Sequence, residues 1–412
     1  MNFQNVNPLN VRLNMISGNL LPMTADNSSF PIFWKIYSTL IWLLEILQTC
    51  VLIPGCFFVP KEKALKDGII GIVVGMEVIC TIIRICTCRG QVKQLIQKLN
   101  NVLSVDDEMM RSIVIQTIKS MESPLKFYWS AGVMSIIAWS SEPFMLIFQR
   151  NSFFYVDYKM PVVYTKEPIT TSIFVFGSVI VTMSSAYIFT KKVGTDSYII
   201  NLLLLVTAQY KYIALKLSMI FQDKFLQNDH SKSDTEKCYL NRDDYTEKEI
   251  KVLCRHHNIV IQSALISVLL ALMKRIGKVH ETLALAMDHG TMITRKLFGI
   301  SEENIRENIT KKTLWEKCSI IMYGTGGVVQ LYIICSCMQK LLDASVNITE
   351  YAFHEKWYQY GKNMKRTFMF MIMANNLEIK LSTFEKYNLS LSSFMMILNQ
   401  SYSIALLLLK TN

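Results

Sequence analysis

The 412-residue chain is 51% hydrophobic and only 18% charged, with a mean hydropathy of +0.27. Its apolar residues gather into repeated stretches of membrane-spanning length, which argues against an ordinary soluble domain. The net charge of +11, from 43 Lys and Arg against 32 Asp and Glu, suits a membrane protein anchored on its cytosolic side better than a nucleic-acid partner.

Residues 1–29 are polar and carry no basic-then-apolar signal pattern, so the first apolar span would act as its own insertion signal. That span, 34–58, holds Glu45 near its middle. The second, 68–88, is rich in Ile, Val and Gly. The third, about 128–148, carries Trp139, Ser140, Ser141 and Glu142 in its outer part. The fourth, 169–189, is followed after Lys191-Lys192-Val193-Gly194 by another apolar stretch, 198–221. Two readings stand open there: a further crossing, or one helix that leaves the membrane and continues in a cytosolic bundle. Gln209, Lys211 and Lys216 favour packing against protein over exposure to lipid.

A polar loop and a charged segment then fill 222–255. The fifth span, 259–273, is the weakest, because Lys274, Arg275, Lys278 and His280 interrupt the helix that continues it. The sixth, 318–337, contains Gly324, Gly326 and Gly327, which permit close helix approach or a local bend. Beyond Tyr351 polar and apolar residues alternate at helical spacing as far as Met373, and a partly charged link, 375–388, leads to a terminal apolar segment, 389–409. There Ser390, Ser392, Ser393, Asn399, Gln400, Ser401 and Ser403 suit a helix with one wet or protein-packed side.

Orientation follows from charge. Residues 84–126 hold seven Lys or Arg against four acidic residues, which favours the cytosol, while the lysine-rich link 60–67 weighs weakly the other way. An amino terminus inside and seven crossings place the carboxyl terminus outside. The ten cysteines lack metal-site spacing at Cys86/Cys88 and Cys335/Cys337, so buried thiols are expected. Enzyme chemistry finds no support: His256-His257 lacks zincin spacing, and Gly324-Thr325-Gly326-Gly327 lies in an apolar helix without a phosphate-loop Lys.

The run from Tyr351 to Tyr358, the segment from Ile379 to Phe384, Leu389-Ser-Leu-Ser-Ser-Phe394 and Gln400-Ser-Tyr-Ser-Ile404 together resemble insect odorant receptors of the ligand-selective type. Weaker agreement comes from Thr195-Asp-Ser-Tyr198, Leu215-Lys-Leu217 and the His256-His257 pair. The resemblance implies an all-α membrane protein with seven transmembrane helices, an intracellular amino terminus and a cytosolic helical anchor region. Its parts would be a cytosolic segment (1–33), helices 1–4 (34–190), a cytosolic extension and polar loop (191–257), helices 5–6 with an extracellular loop (258–338), an anchor helix (339–388) and a pore-lining helix (389–412). It further implies a subunit of a ligand-gated, nonselective cation channel, assembled as a heterotetramer with coreceptor subunits in the plasma membrane of olfactory neuron dendrites, with no cofactor and no nucleic-acid partner. The chain departs from the family pattern over 274–312 and in ending its sixth helix on Cys335-Ser-Cys-Met-Gln-Lys340.

A small volatile apolar ligand needs aromatic and methionine surface with a few hydroxyls to orient it. The outer halves of helices two, three, four and six offer Met76, Ile137, Trp139, Ser140, Phe144, Phe174, Phe176 and Tyr323. Trp139 and Tyr323 combine a large ring with a polar atom. Ala405 and Leu409, four apart, share a helix face and match the family's gate positions, with Ser401 and Leu408 adjacent. Asn308-Ile-Thr310 is a glycosylation acceptor if its loop lies outside. A gustatory-type channel shares the architecture, but its usual ending is absent. A seven-helix G-protein-coupled receptor would have an external amino terminus and Asp-Arg-Tyr-like and Asn-Pro-x-x-Tyr features, and neither feature occurs. A transporter would show an internal repeat.

Overall fold

The computed structural model describes residues 2–24, 30–60, 63–104, 107–228, 247–258, 314–354, 362, 365–373 and 390–410. The fifth span and Asn308 lie outside the described residues.

Two short helices open the chain, α1 (Phe3–Val6) and α2 (Pro8–Ile16), capped by the side chains of Asn2 and Asn7, with Pro8 in the first turn. The first apolar span is α3 (Ile32–Phe58). Its buried residues, Ser38, Ile41, Glu45, Gln48, Leu52 and Gly55, recur every three or four positions and so form one stripe. Half of that stripe is polar, whereas Ile36, Leu40, Leu43, Ile46 and Leu47 face outward. Apolar outside and polar inside is the pattern of a helix whose solvent is lipid.

A π-helical turn (Ala64–Ile69) leads into α4 (Ile70–Thr87), and α5 (Arg89–Leu103) follows at once. The polarity reverses in α5: Val92, Leu95, Ile96, Leu99 and Leu103 are buried while Gln94 and Gln97 are exposed, as expected of a helix facing water. Helix α6 (Glu108–Leu146) extends the expected third span by five turns at its start. Asp107 caps it, accepting from the Met109 and Met110 amides at 2.9 and 3.3 Å. The phenol of Tyr212 also donates to Asp107 (2.7 Å), and this bond holds the carboxyl below its ordinary range.

The ambiguous fourth region resolves into one helix, α7 (Thr171–Asn228), about 87 Å long at ~1.5 Å per residue. Every residue from 193 to 210 is buried. Such a segment is buried on all sides because it is the axis of a helical body, and its polar residues, among them Asp196, Asn201 and Gln209, suit protein rather than lipid as its surroundings. Packed around α7 are α2, α6, the 247–258 helix (α8) and α9 (Leu314–His354). Helical residues 365–373 (α10) add Phe368, Met371 and Ile372 to that core. The last helix, α11 (Leu391–Lys410), lies along α9, where Phe394 meets Tyr332 edge-on at 5.6 Å. By length and composition, α3 and Thr171–Ile220 are long and apolar enough to cross a membrane.

Two details differ from expectation. A side chain at Gly326 or Gly327 would meet nothing within 4 Å among the described residues, so neither glycine serves a close helix approach there. Cys335 and Cys337 are buried as expected, but Cys50, Cys80 and Cys86 are exposed. They lie on helix faces that no described element of the same chain covers.

Candidate functional site

The connection from α6 to α7 folds inward. Strands β1 (Ser152–Phe153) and β2 (Ile169–Thr170) pair antiparallel at its base, and the ion pair of Lys159 with Glu142 ties it to the end of α6. Its aromatic and apolar residues build a second, smaller core with α7: Phe153, Tyr155, Tyr158, Val162 and Ile169 are buried together with Phe174 and Val181 of that helix. Phe174 stacks on Phe153 with centroids 4.1 Å apart and meets Tyr158 at 4.8 Å.

Of the residues expected to bind ligand, Phe174 lies at the centre of this core, and Trp139 packs against it half-buried. Ser140 is buried, its hydroxyl donating to the Ile136 carbonyl at 2.7 Å. Phe144 is half-buried, whereas Met76, Ile137 and Phe176 keep more than half of their surface exposed. Tyr323 lies in α9, outside the residues whose side chains are described. The sequence reading missed the loop itself. Met160-Pro161-Val162-Val163-Tyr164 is an apolar run, but at five residues it is too short for periodicity to assign.

A layer of charge lies deeper in the bundle. Lys191, fully buried, places its ammonium 2.7 Å from Glu45 of α3 and 3.4 Å from the centre of the Trp42 ring. Lys192 reaches Glu77 of α4 at 2.8 Å. One turn on, buried Asp196 accepts from the Gln330 amide at 2.8 Å and from the Tyr128 hydroxyl at 3.4 Å. The layer joins α3, α4, α6, α7 and α9. Charges this deep persist only when paired and hydrogen-bonded. The amino-terminal segment closes it: the Asn19 amide donates to the Lys191 carbonyl and to Thr195, and Tyr198 donates to the Pro22 carbonyl.

At the far end of α7, His256 of α8 lies 3.0 Å from the Gln209 side chain and stacks on Tyr212. Burial lowers the His256 pKa to about 4, which keeps the imidazole neutral. His257 packs edge-on against Tyr210. Both histidines are packing groups of the helical body.

The terminal helix has two different sides. Leu391, Met395, Leu398 and Tyr402 fall on one exposed stripe, and Ser392, Asn399 and Ser403 on another. Ser401 is exposed, its hydroxyl donating to the Ile397 carbonyl. Ala405, Leu408 and Leu409 are helical, with side chains outside the described ones.

Comparison with known proteins places this arrangement. The family model described as 7tm Odorant receptor matches residues 304–402. Odorant receptor 49a of Drosophila melanogaster is 26% identical over 88 residues, a stretch covering 21% of this chain and 22% of that protein. The olfactory receptor OR5 of Machilis hrabei superposes with a TM-score of 0.64 at 13% identity, over 98% of this chain and 97% of the other. The same receptor in complex with eugenol gives 0.65 at 12% identity, over 99% and 98%. The fold is thus the all-helical fold of that seven-span receptor, while the match to the odorant-receptor family model is confined to residues 304–402.

Proposed function

We propose that the chain, which resembles the insect odorant receptors, is a member of that family and a ligand-selective subunit of an odorant-gated, nonselective cation channel. It works with coreceptor subunits in a heterotetramer in the plasma membrane of olfactory neuron dendrites. Its amino terminus and the helical body around residues 193–210 lie in the cytosol.

The observation that carries this reading is the state of α11. An apolar helix that leaves Asn399, Gln400, Ser401 and Ser403 exposed is poorly suited to lipid on all sides. Its polar stripe calls for water or a neighbouring subunit, and its apolar stripe for lipid or protein. Four such helices around an axis form a constriction that resists hydration when narrow and conducts when widened. Ser401, Ala405 and Leu409 are the residues we assign to that path.

The ligand is a small volatile held among Trp139, Ser140, Phe144, Phe174 and Tyr323, with Met76, Ile137 and Phe176 at the margins. The exposed area of the marginal residues is available for a ligand to cover. The eugenol complex of the Machilis receptor supports a small organic ligand for this chain too. Ligand binding drives opening only through tighter affinity for the open state. The test is odorant-evoked current from a broad volatile panel, with and without a coreceptor. Current that needs both ligand and coreceptor is expected. Absence of current from a receptor verified at the cell surface would overturn the proposal.

A further inference from the structure

We infer that the loop segment 158–164 occupies a second ligand subsite, between α3, α4 and α7, and that Gln48 and Ser185 select there for a volatile bearing one strong hydrogen-bond acceptor. The inference rests on the odorant-receptor reading and adds to it a site distinct from the one around Trp139.

Three helices are shaped for this segment. A side chain at Gly55 of α3 would collide with the Pro161 carbonyl, one at Gly71 of α4 with the Met160 methyl, and one at Gly177 of α7 with the Tyr158 phenol. Glycines on three separate elements thus leave room for one loop. Met160 is half-buried and faces two polar side chains. Its sulfur lies 3.8 Å from the Gln48 amide nitrogen and 4.0 Å from the Ser185 hydroxyl.

Both of those groups are donors here, and a thioether is a weak acceptor. Gln48 is 3% exposed, and among the described residues its amide oxygen has only the Tyr164 hydroxyl, at 3.5 Å. Ser178, two turns from Ser185 on the same side of α7, is buried, and among the described residues its hydroxyl has no partner. Gln48 is a buried donor and Ser185 a half-buried one; a donor held only by a poor acceptor is under-satisfied, and for the buried amide that is costly. A carbonyl oxygen in place of the Met160 sulfur would satisfy them better. Leu52 and Val181 supply apolar wall for the rest of such a molecule. Met160 therefore stands in for ligand while the subsite is empty.

The probes are straight-chain methyl ketones from 2-hexanone to 2-nonanone, set against alkanes of equal length. Binding is read as thermal stabilisation of the detergent-solubilised full-length protein, and current is recorded separately with coreceptor present. Wild type should be stabilised by ketones more than by alkanes. Gln48→Leu and Ser185→Ala should each remove that preference, with a loss of about tenfold in ketone affinity. Met160→Ala should raise ketone affinity by a similar factor. Ser185→Ala deletes one atom and carries the test if Met160→Ala does not fold. An unchanged ketone preference in both Gln48→Leu and Ser185→Ala would overturn the inference. Stabilisation that behaves as expected while no volatile evokes current would instead count against the channel reading.

Discussion

Removing either member of the Glu45–Lys191 pair should destabilise the protein, and unequally. Lys191→Met leaves the Glu45 carboxylate buried with neither oxygen paired among the described residues, because Oε1 already has no partner there. Glu45→Leu leaves the ammonium buried too, but still 3.4 Å from the centre of the Trp42 ring. Breaking a buried pair from one side costs about 3–5 kcal/mol. A desolvated cation–π contact returns about 2 kcal/mol to the stranded lysine. Lys191→Met should therefore be the worse single variant by about 1–2 kcal/mol, and both should lower the thermal midpoint of the solubilised protein by several degrees. The double variant, with two apolar groups of similar volume and no stranded charge, should return to within about 1–2 kcal/mol of wild type. Midpoints from size-exclusion of fluorescently tagged protein after heating give all four corners of the cycle. A double variant no better than the worse single, or singles indistinguishable from wild type, would refute the pairing argument.

Trp139→Ala and Tyr323→Ala should shift odorant potency while leaving surface assembly intact; unchanged dose–response curves for both would remove the first pocket. Replacing Ala405 with Phe should alter conductance or basal current in the assembled channel, and currents identical to wild type would count against a pore position. Acid should weaken the helical body through His256. The unfolded imidazole protonates near pH 6.5 and the folded one only near 4, so stability is lost as pH falls through that window, by about 3 kcal/mol, with no further loss from this group below it. His256→Gln should flatten that part of the stability profile, and a profile of unchanged slope would show that the group does not titrate there.

What the sequence made legible was the apolar spacing. Trp34 to Phe58 became α3 almost residue for residue, because an apolar run with turn-like flanks leaves the chain few choices in lipid. The stretch after Lys191 could not be settled that way, since a helix buried on all sides by protein and one surrounded by lipid have the same composition. Gln209 pointed to protein only in part: it is 1% exposed and lies 3.0 Å from His256, a partner 47 residues away in the chain. Glu45 stood out as a charge in an apolar run, but nothing local names Lys191 as its partner. Pairings across 146 residues are set by packing, not by spacing. The loop at Met160 was the least readable, because its glycine sockets lie on other helices.

All of these features converge on one helix. Phe174 and Val181 of α7 face the aromatic core and Ser185 the Met160 sulfur, Lys191 to Asp196 carry the ion layer, and 193–210 form the axis of the inner body. A continuous helix is stiff on this length, so a ligand that moves its loop-facing end cannot leave its inner end unaffected. Transmission still requires an element with two arrangements whose balance the ligand biases. The ion layer resists continuous sliding, because any shift that lengthens the 2.7 and 2.8 Å contacts strands buried charge. Motion of α7 relative to α3 and α4 is therefore confined to displacements that carry all three helices together or that exchange one set of partners for another. Among the described residues, the exposed side of α11 is one surface that the ion layer does not hold.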